Sequence, residues 1–212
     1  VDRQTAPLPY ISTTNGNWET SSTWVNGALQ TIPGAESIVN SSTHIDWNIV
    51  QTSHNLTLDN TSITSGNRAL LGLFVNSNKI TISGNNVTKT GFGLTVTHYL
   101  KLNGDIDLQG ESQLIQTIKS DLDISSSGSL EKDQQGTRDL FTYNYWSSPV
   151  GITSTLSNNT NYTVNSIFKD GTNTVSPISI NFINGYDGNA GSPISIADYW
   201  IWKFANQPDD MY

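Results

Sequence analysis

Asn55-Leu-Thr-Leu-Asp-Asn60 and Lys79-Ile-Thr-Ile-Ser-Gly84 are followed by Tyr99-Leu-Lys-Leu-Asn-Gly104 and Asp121-Leu-Asp-Ile-Ser-Ser126. Each stretch alternates apolar and polar residues and then breaks on Asn, Gly or Ser. A period of two turns one face of a strand inward, and the small polar residues end it in a turn. Leu56, Ile80, Leu100 and Leu122 lie 24, 20 and 22 residues apart, and a second apolar position follows each of them at Ile63, Val87, Ile106 and Leu130. Two short strands per repeat cannot bury an apolar face alone, so they predict coils stacked on their neighbours. The expectation is an all-β parallel β-helix, or β-solenoid. An antiparallel sandwich of evenly spaced strands is the competing architecture. The return of the turn residues together with the apolar ones favours the solenoid.

Working outward, residues 1–15 read as an extended lead-in and residues 16–138 as the solenoid. The solenoid opens on Gly16-Asn-Trp18 and Thr23-Trp24-Val-Asn-Gly27, closing at Ile32-Pro33-Gly34. A solenoid end exposes core and unpaired strand edges, so Trp18 and Trp24 predict a bulky N-terminal cap. The alternative for the same pair is a flat platform on which a carbohydrate stacks. Gly91-Phe-Gly93 predicts a bulge or corner. Residues 139–212 depart from the repeat and read as an aromatic-rich C-terminal β-module. Phe141, Tyr143 and Tyr145 share one strand face there, and Trp200, Trp202 and Phe204 share another. Two such strands predict a second hydrophobic core; the sharper alternative is an aromatic carbohydrate cleft.

Composition sets bounds on function. Of 212 residues, 35% are hydrophobic and 13% charged, but six Trp and eight Tyr with clear alternation separate the chain from disordered sequences. A net charge of −8, with no run of Lys or Arg, argues against nucleic acid as a partner. The absence of Cys excludes disulfides and thiolate metal sites. No apolar stretch approaches the ~18 residues of a membrane helix. The Asn-X-Ser/Thr sequons at Asn40, Asn55, Asn60, Asn86, Asn158 and Asn161 are what chance supplies in a chain this rich in Asn, Ser and Thr. Val1-Asp-Arg-Gln and Gln207-Pro-Asp-Asp-Met-Tyr212 begin and end abruptly, which predicts a processed protein or a fragment of a longer one.

The carboxylates are the candidate chemistry. Asp105 and Asp107 share one strand face, and Asp121 and Asp123 share another, expected one coil later. Strands ~4.8 Å apart would bring the four within about 5–10 Å of one another. Such a set could hold Ca²⁺ through oxygen ligands, or supply the carboxylate pair of a glycoside hydrolase. The plain reading is a polar, solvated strand face neutralised by Lys101 and Lys119. His44, His54 and His98 lack metal-ligand spacing. No nucleophile elbow, phosphate loop or dinucleotide fingerprint is present. Tyr186-Asp-Gly-Asn-Ala-Gly191 reads as a tight turn rather than a calcium loop.

The Trp18 and Trp24 phrase followed by short β-repeats resembles the start of β-helical regions in secreted bacterial surface proteins. More specifically, Leu100 to Gly136, Asp139 to Gly151 and Ile196 to Phe204 together resemble large cargo proteins of the bacterial type IX secretion system. The resemblance covers residues 16–212 and is strongest from residue 100 onward. It implies an exported, extracellular or cell-surface protein whose export partners are translocon and carrier proteins. It carries over no catalytic residues. The functional expectation is a non-catalytic stalk, adhesin or displayed passenger, with surface glycans as candidate partners. The alternative is an extracellular polysaccharide-active enzyme or carbohydrate-binding module.

Overall fold

The alternating phrases form strands that stack in parallel. A computed structural model describes residues 8–25, 32–35, 46–59, 66–137, 142–146 and 163–202. Two compact units divide the chain, residues 1–160 and 161–212. In the first, the strands are β1 (Tyr10–Ser12), β2 (Gly16–Asn17), β3 (Trp24–Val25), β4 (Ile49–Thr52), β5 (Leu56–Leu58), β6 (Arg68–Val75), β7 (Lys79–Ile82), β8 (Gly93–Leu102), β9 (Asp105–Leu108), β10 (Gln113–Gln116), β11 (Asp121–Leu122) and β12 (Ser129–Lys132). One sheet runs β10-β8-β6-β4-β1-β3 with β11 also on β8, and the other runs β12-β9-β7-β5-β2. Every pairing along them is parallel except β1 with β3. The chain alternates between the sheets, giving the regular coils β4–β5, β6–β7 and β8–β9. This is the β-solenoid that the repeats predict.

Register corrects the phase of those repeats. Leu56, Ile80, Ile106 and Leu130 form one column on the second sheet. Val50, Leu73, Leu100 and Leu122 form another on the first. The first two phrases therefore lie on the second sheet and the last two on the first. Both sheets share one dry core and one alternating pattern, so the phrase does not reveal which sheet it occupies. Val87 is no strand position: it is 87% exposed in a loop closed by the Asn85–Thr90 bridge. Ile63 lies outside the described residues. Between the sheets the core is dense, with Leu58, Leu70, Leu73, Ile80, Ile82, Leu94 and Ile106 fully buried.

The corners are held by stacked hydrogen bonds. Asp105 N donates to Asn78 O at 2.8 Å, and Gly128 N to Leu102 O at 2.9 Å. Asn55 Oδ1 accepts from Lys79 N at 3.1 Å, and Asp105 Oδ1 from Ser129 N at 3.1 Å. Coil contact is so close here that a Cβ on Gly128 would lie 1.7 Å from Gly104 O, and one on Gly104 2.2 Å from Asn78 O. A register shift between Leu70 and Gly72 places a bulge between β6 and β8, whereas Gly91 and Phe92 make the corner entering β8.

The N-terminal end is covered by the segment carrying both early tryptophans. Trp18 is completely buried and Trp24 nearly so, their rings edge-to-face at 4.9 Å. Trp18 Nε1 donates to Pro33 O at 3.0 Å and Trp24 Nε1 to Trp18 O at 2.8 Å. Glu19 pairs with Arg68, both side chains about 1% exposed, tying the cap to β6. Burial pushes the Glu19 carboxyl upward, against the opposing pull of Arg68. At the other end, the column Leu58, Ile82, Leu108 finishes on Lys132, whose ammonium donates to Gly110 O.

In the second unit, β13 (Lys169–Asp170) pairs antiparallel with β14 (Ile178–Ser179), and β15 (Asn181–Ile183) pairs in parallel with β16 (Ser195–Ala197). A single helical turn, α1 (Val164–Ile167), precedes them. Buried Asp170 organises the unit: Oδ1 accepts from Thr172 N at 2.9 Å and Oδ2 from Ile194 N at 3.0 Å. Hydrogen bonds from Thr172 and Ile194 hold its carboxyl below the usual range.

Candidate functional site

Register decides the fate of the four aspartates. Asp105 and Asp107 lie on β9 in the second sheet, whereas Asp121 lies on β11 in the first sheet and Asp123 directly follows it. Asp105 pairs with Lys79 and Ser129, and Asp107 with Thr81 and Glu131. Asp121 pairs with Tyr99. The expected stacking of the two pairs does not occur, because successive phrases belong to different sheets. Among the described residues no group of three or more metal-ligating side chains is arranged to hold an ion.

Each pair has its own structural surroundings. Asp105 Oδ1 takes the Ser129 hydroxyl at 2.6 Å as well as its amide. Asp123 accepts from Ser125 N at 2.7 Å, from the Ser125 hydroxyl at 2.6 Å and from the Tyr99 phenol, with Lys101 Nζ at 3.7 Å. The Ser125 and Tyr99 hydrogen bonds drive its carboxyl far below the ordinary range. The same Asp123 bond raises the Tyr99 phenol.

Asp107 differs from the others in being only 3% exposed. Its carboxyl is pushed up to about 6, first by burial and then by the charges of Glu131 and Asp133. Lys79 and a 3.2 Å hydrogen bond from Gln109 Nε2 pull it down only in part. Lys79 Nζ reaches Glu131 Oε2 at 2.8 Å, spanning the β9 coil. Burial would lower Lys79, but the Glu131 hydrogen bond and the charges of Glu131, Asp107 and Asp105 leave it raised. Sequence alternation predicts an outward, solvated position for Asp107, but it is buried between the neighbouring coils at Thr81 and Glu131. A group titrating near neutrality could move a proton, yet Asp107 is buried in mid-sheet between Thr81 and Glu131, with no cleft described beside it.

The cap residues also have a settled geometry. Sugar stacking needs an open ring face, and Trp18 and Trp24 spend theirs on each other and on the core. Their position fits the cap and leaves the platform reading without a surface.

Spacing alone did not suggest two other features of the first unit. Ser12 Oγ lies 2.8 Å from His54 Nδ1, a nucleophile–base distance across 42 residues. The hydroxyl is buried, donates to Thr52 Oγ1 at 2.9 Å and accepts from Ser53 N at 3.3 Å, which makes it a corner clamp. On the first sheet an open groove of about 370 Å³ is lined by Asn67, Phe92, Thr95, Glu111, Gln113 and Ile115. Its amide wall is already engaged, Asn67 Oδ1 accepting from Gly93 N at 2.7 Å.

Among the described residues of the second unit, Tyr and Trp side chains stay on the surface instead of closing the expected core. Tyr186, Tyr199, Trp200 and Trp202 are 66%, 54%, 52% and 68% exposed. Tyr199 and Trp200 belong to a 3-10 turn, Asp198–Trp200, rather than to the expected strand. Tyr143 and Tyr145, in the first unit, are also exposed and lie outside any strand; Phe141 and Phe204 are outside the described residues. Tyr199 sits edge-to-face with Tyr186 at 4.7 Å and with Trp200 at 4.8 Å. Trp200 Nε1 donates to Tyr186 O at 2.8 Å, which fixes the indole.

Compared with known proteins, the chain matches no family model, no curated protein and no solved structure.

Proposed function

We propose that this chain is a segment of a larger secreted protein displayed at a bacterial cell surface, its solenoid acting as a stiff spacer for an adhesin or displayed passenger. The observation that carries the reading is the pair of parallel ladders from β4 to β9, interrupted by a single bulge between β6 and β8, over one shared apolar core. Bending such a stack breaks backbone hydrogen bonds and opens core columns together, so it holds attached modules at a fixed distance. Its net charge of −8 favours solubility in a crowded surface layer. Among the described residues no helix is long and apolar enough to cross a membrane. Export as type IX cargo, through that translocon and its carrier proteins, is supported by the resemblance from residue 100 onward. A polysaccharide-active enzyme built on the four aspartates called for their convergence, which the register does not give.

The test is antibody labelling of intact cells of the source bacterium, with and without external protease. Labelling that protease abolishes is the expected result. Confinement to the cytoplasm would overturn the surface role, and labelling that persists without a type IX translocon would overturn only the export route.

A further inference from the structure

We infer that Tyr186, Tyr199 and Trp200 form a carbohydrate-binding corner on the C-terminal unit, taking a neutral glycan. The inference rests on the adhesin reading and names the class of ligand the adhesin would hold. Aromatic side chains left in water at half or more of their surface forgo burial that folding would otherwise favour. Here they are also fixed. The parallel pair β15–β16 sets the base, with Asn189 N donating to Ser195 O at 2.9 Å and Ser195 N to Asn189 O at 2.8 Å. The 3-10 turn is closed by Ile201 N on Asp198 O at 3.1 Å. The indole N–H donates to Tyr186 O, which holds the ring in its exposed position.

Tyr186 and Trp200 each sit edge-to-face with Tyr199, at interplanar angles of 68° and 83°. Ring faces meeting nearly at right angles make a corner rather than a strip. A pyranose can lay its C–H face on one ring while a neighbouring ring edge guides the chain. Asp187 and Asp198, both exposed, directly flank Tyr186 and Tyr199 in sequence. Carboxylates accept hydrogen bonds from sugar hydroxyls, and their charge, with the net −8 of the chain, disfavours acidic polysaccharides. The combination therefore selects a neutral glycan over an anionic one. A helical partner peptide would call for a continuous apolar groove, whereas exposed Asp187 and Asp198 interrupt this aromatic set.

The whole chain is tested by affinity electrophoresis and pull-down on cellulose, xylan, mannan and chitin, with alginate as the acidic control. Retention on at least one neutral polymer and none on alginate is expected. Y199A and W200A should each weaken that retention about tenfold or more, as hot-spot aromatics do. Because W200A removes the indole tether, W200F serves as a second variant that keeps a stacking ring, and circular dichroism monitors folding of all three. No retention of the wild type on any neutral polymer overturns the site, as does retention unaffected by Y199A and W200A, or preferential retention on alginate. Self-association of the wild type that W200A abolishes would assign the corner to a second copy instead, and also overturns it. Surface labelling without glycan retention removes the site and leaves the display role standing.

Discussion

Replacing Asp107 by Asn should stabilise the solenoid at neutral pH. Asp107 is 3% exposed and its carboxyl is pushed from 3.8 to about 6 by burial and by Glu131 and Asp133. A raised carboxyl means that the folded state holds a proton the unfolded chain has released. Ionised Asp107 therefore opposes folding above about 6, the penalty shrinks as pH falls through that value, and it vanishes below the unfolded 3.8. At 1.36 kcal/mol per pH unit the ceiling is about 3 kcal/mol. Screening by water around Lys79 and Glu131, each about one-third exposed, reduces it to about 1.5–2 kcal/mol. Asn keeps the shape and still meets Gln109. Urea unfolding of wild type and D107N at intervals from pH 7.5 to pH 4 checks this. The variant should be more stable by about 1.5–2 kcal/mol at pH 7.5, with the advantage falling to within about 0.5 kcal/mol of wild type near pH 4. A difference that does not change with pH, or a variant less stable at pH 7.5, would refute the assignment of the penalty to this carboxylate.

Two further outcomes follow from packing. G128A should cost about 2–3 kcal/mol in the same unfolding assay, the upper part of the overpacking range, because its Cβ would meet the backbone oxygen of Gly104 and not a movable side chain; a loss under 0.5 kcal/mol would refute the close approach. R68M should cost about 3–5 kcal/mol by leaving the Glu19 carboxylate buried without its cation, while E19L/R68M should recover most of that loss. Equal loss in the single and double variants would show that the pair itself, and not the stranded charge, holds the cap.

Strand alternation, turn residues and the capping role of Trp18 and Trp24 were legible because each is local: two or three neighbours decide them. Which sheet a strand joins was not. Leu100 and Ile106 sit six residues apart on opposite walls of one core, with the same apolar-polar signature on both. Corner lengths set that choice, and the four aspartates were misplaced for the same reason. Alternation predicts a solvated Asp107 because it reports the direction of a side chain, whereas its burial comes from coils a full turn away. The C-terminal aromatics illustrate the converse. Their apolar character predicted a core, but the chain around Tyr199 turns too tightly for a strand, and the indole N–H fastens Trp200 to a surface carbonyl.

The lysine at the end of the Leu58, Ile82, Leu108 column has a bearing on how such a protein behaves at high concentration. Stacked parallel coils are a template on which another chain's strand can lay itself, the route by which β-rich proteins polymerise into fibres. A newcomer adding beyond β12 would have to press an apolar side chain against the Lys132 stem and strip its ammonium of Gly110 and of water. At the opposite terminus the edge is the two-residue strand β3, which runs antiparallel to β1 and carries buried Trp24. Growth would meet a different chemistry at each of these edges, a half-buried lysine at β12 and a short antiparallel strand backed by tryptophan at β3.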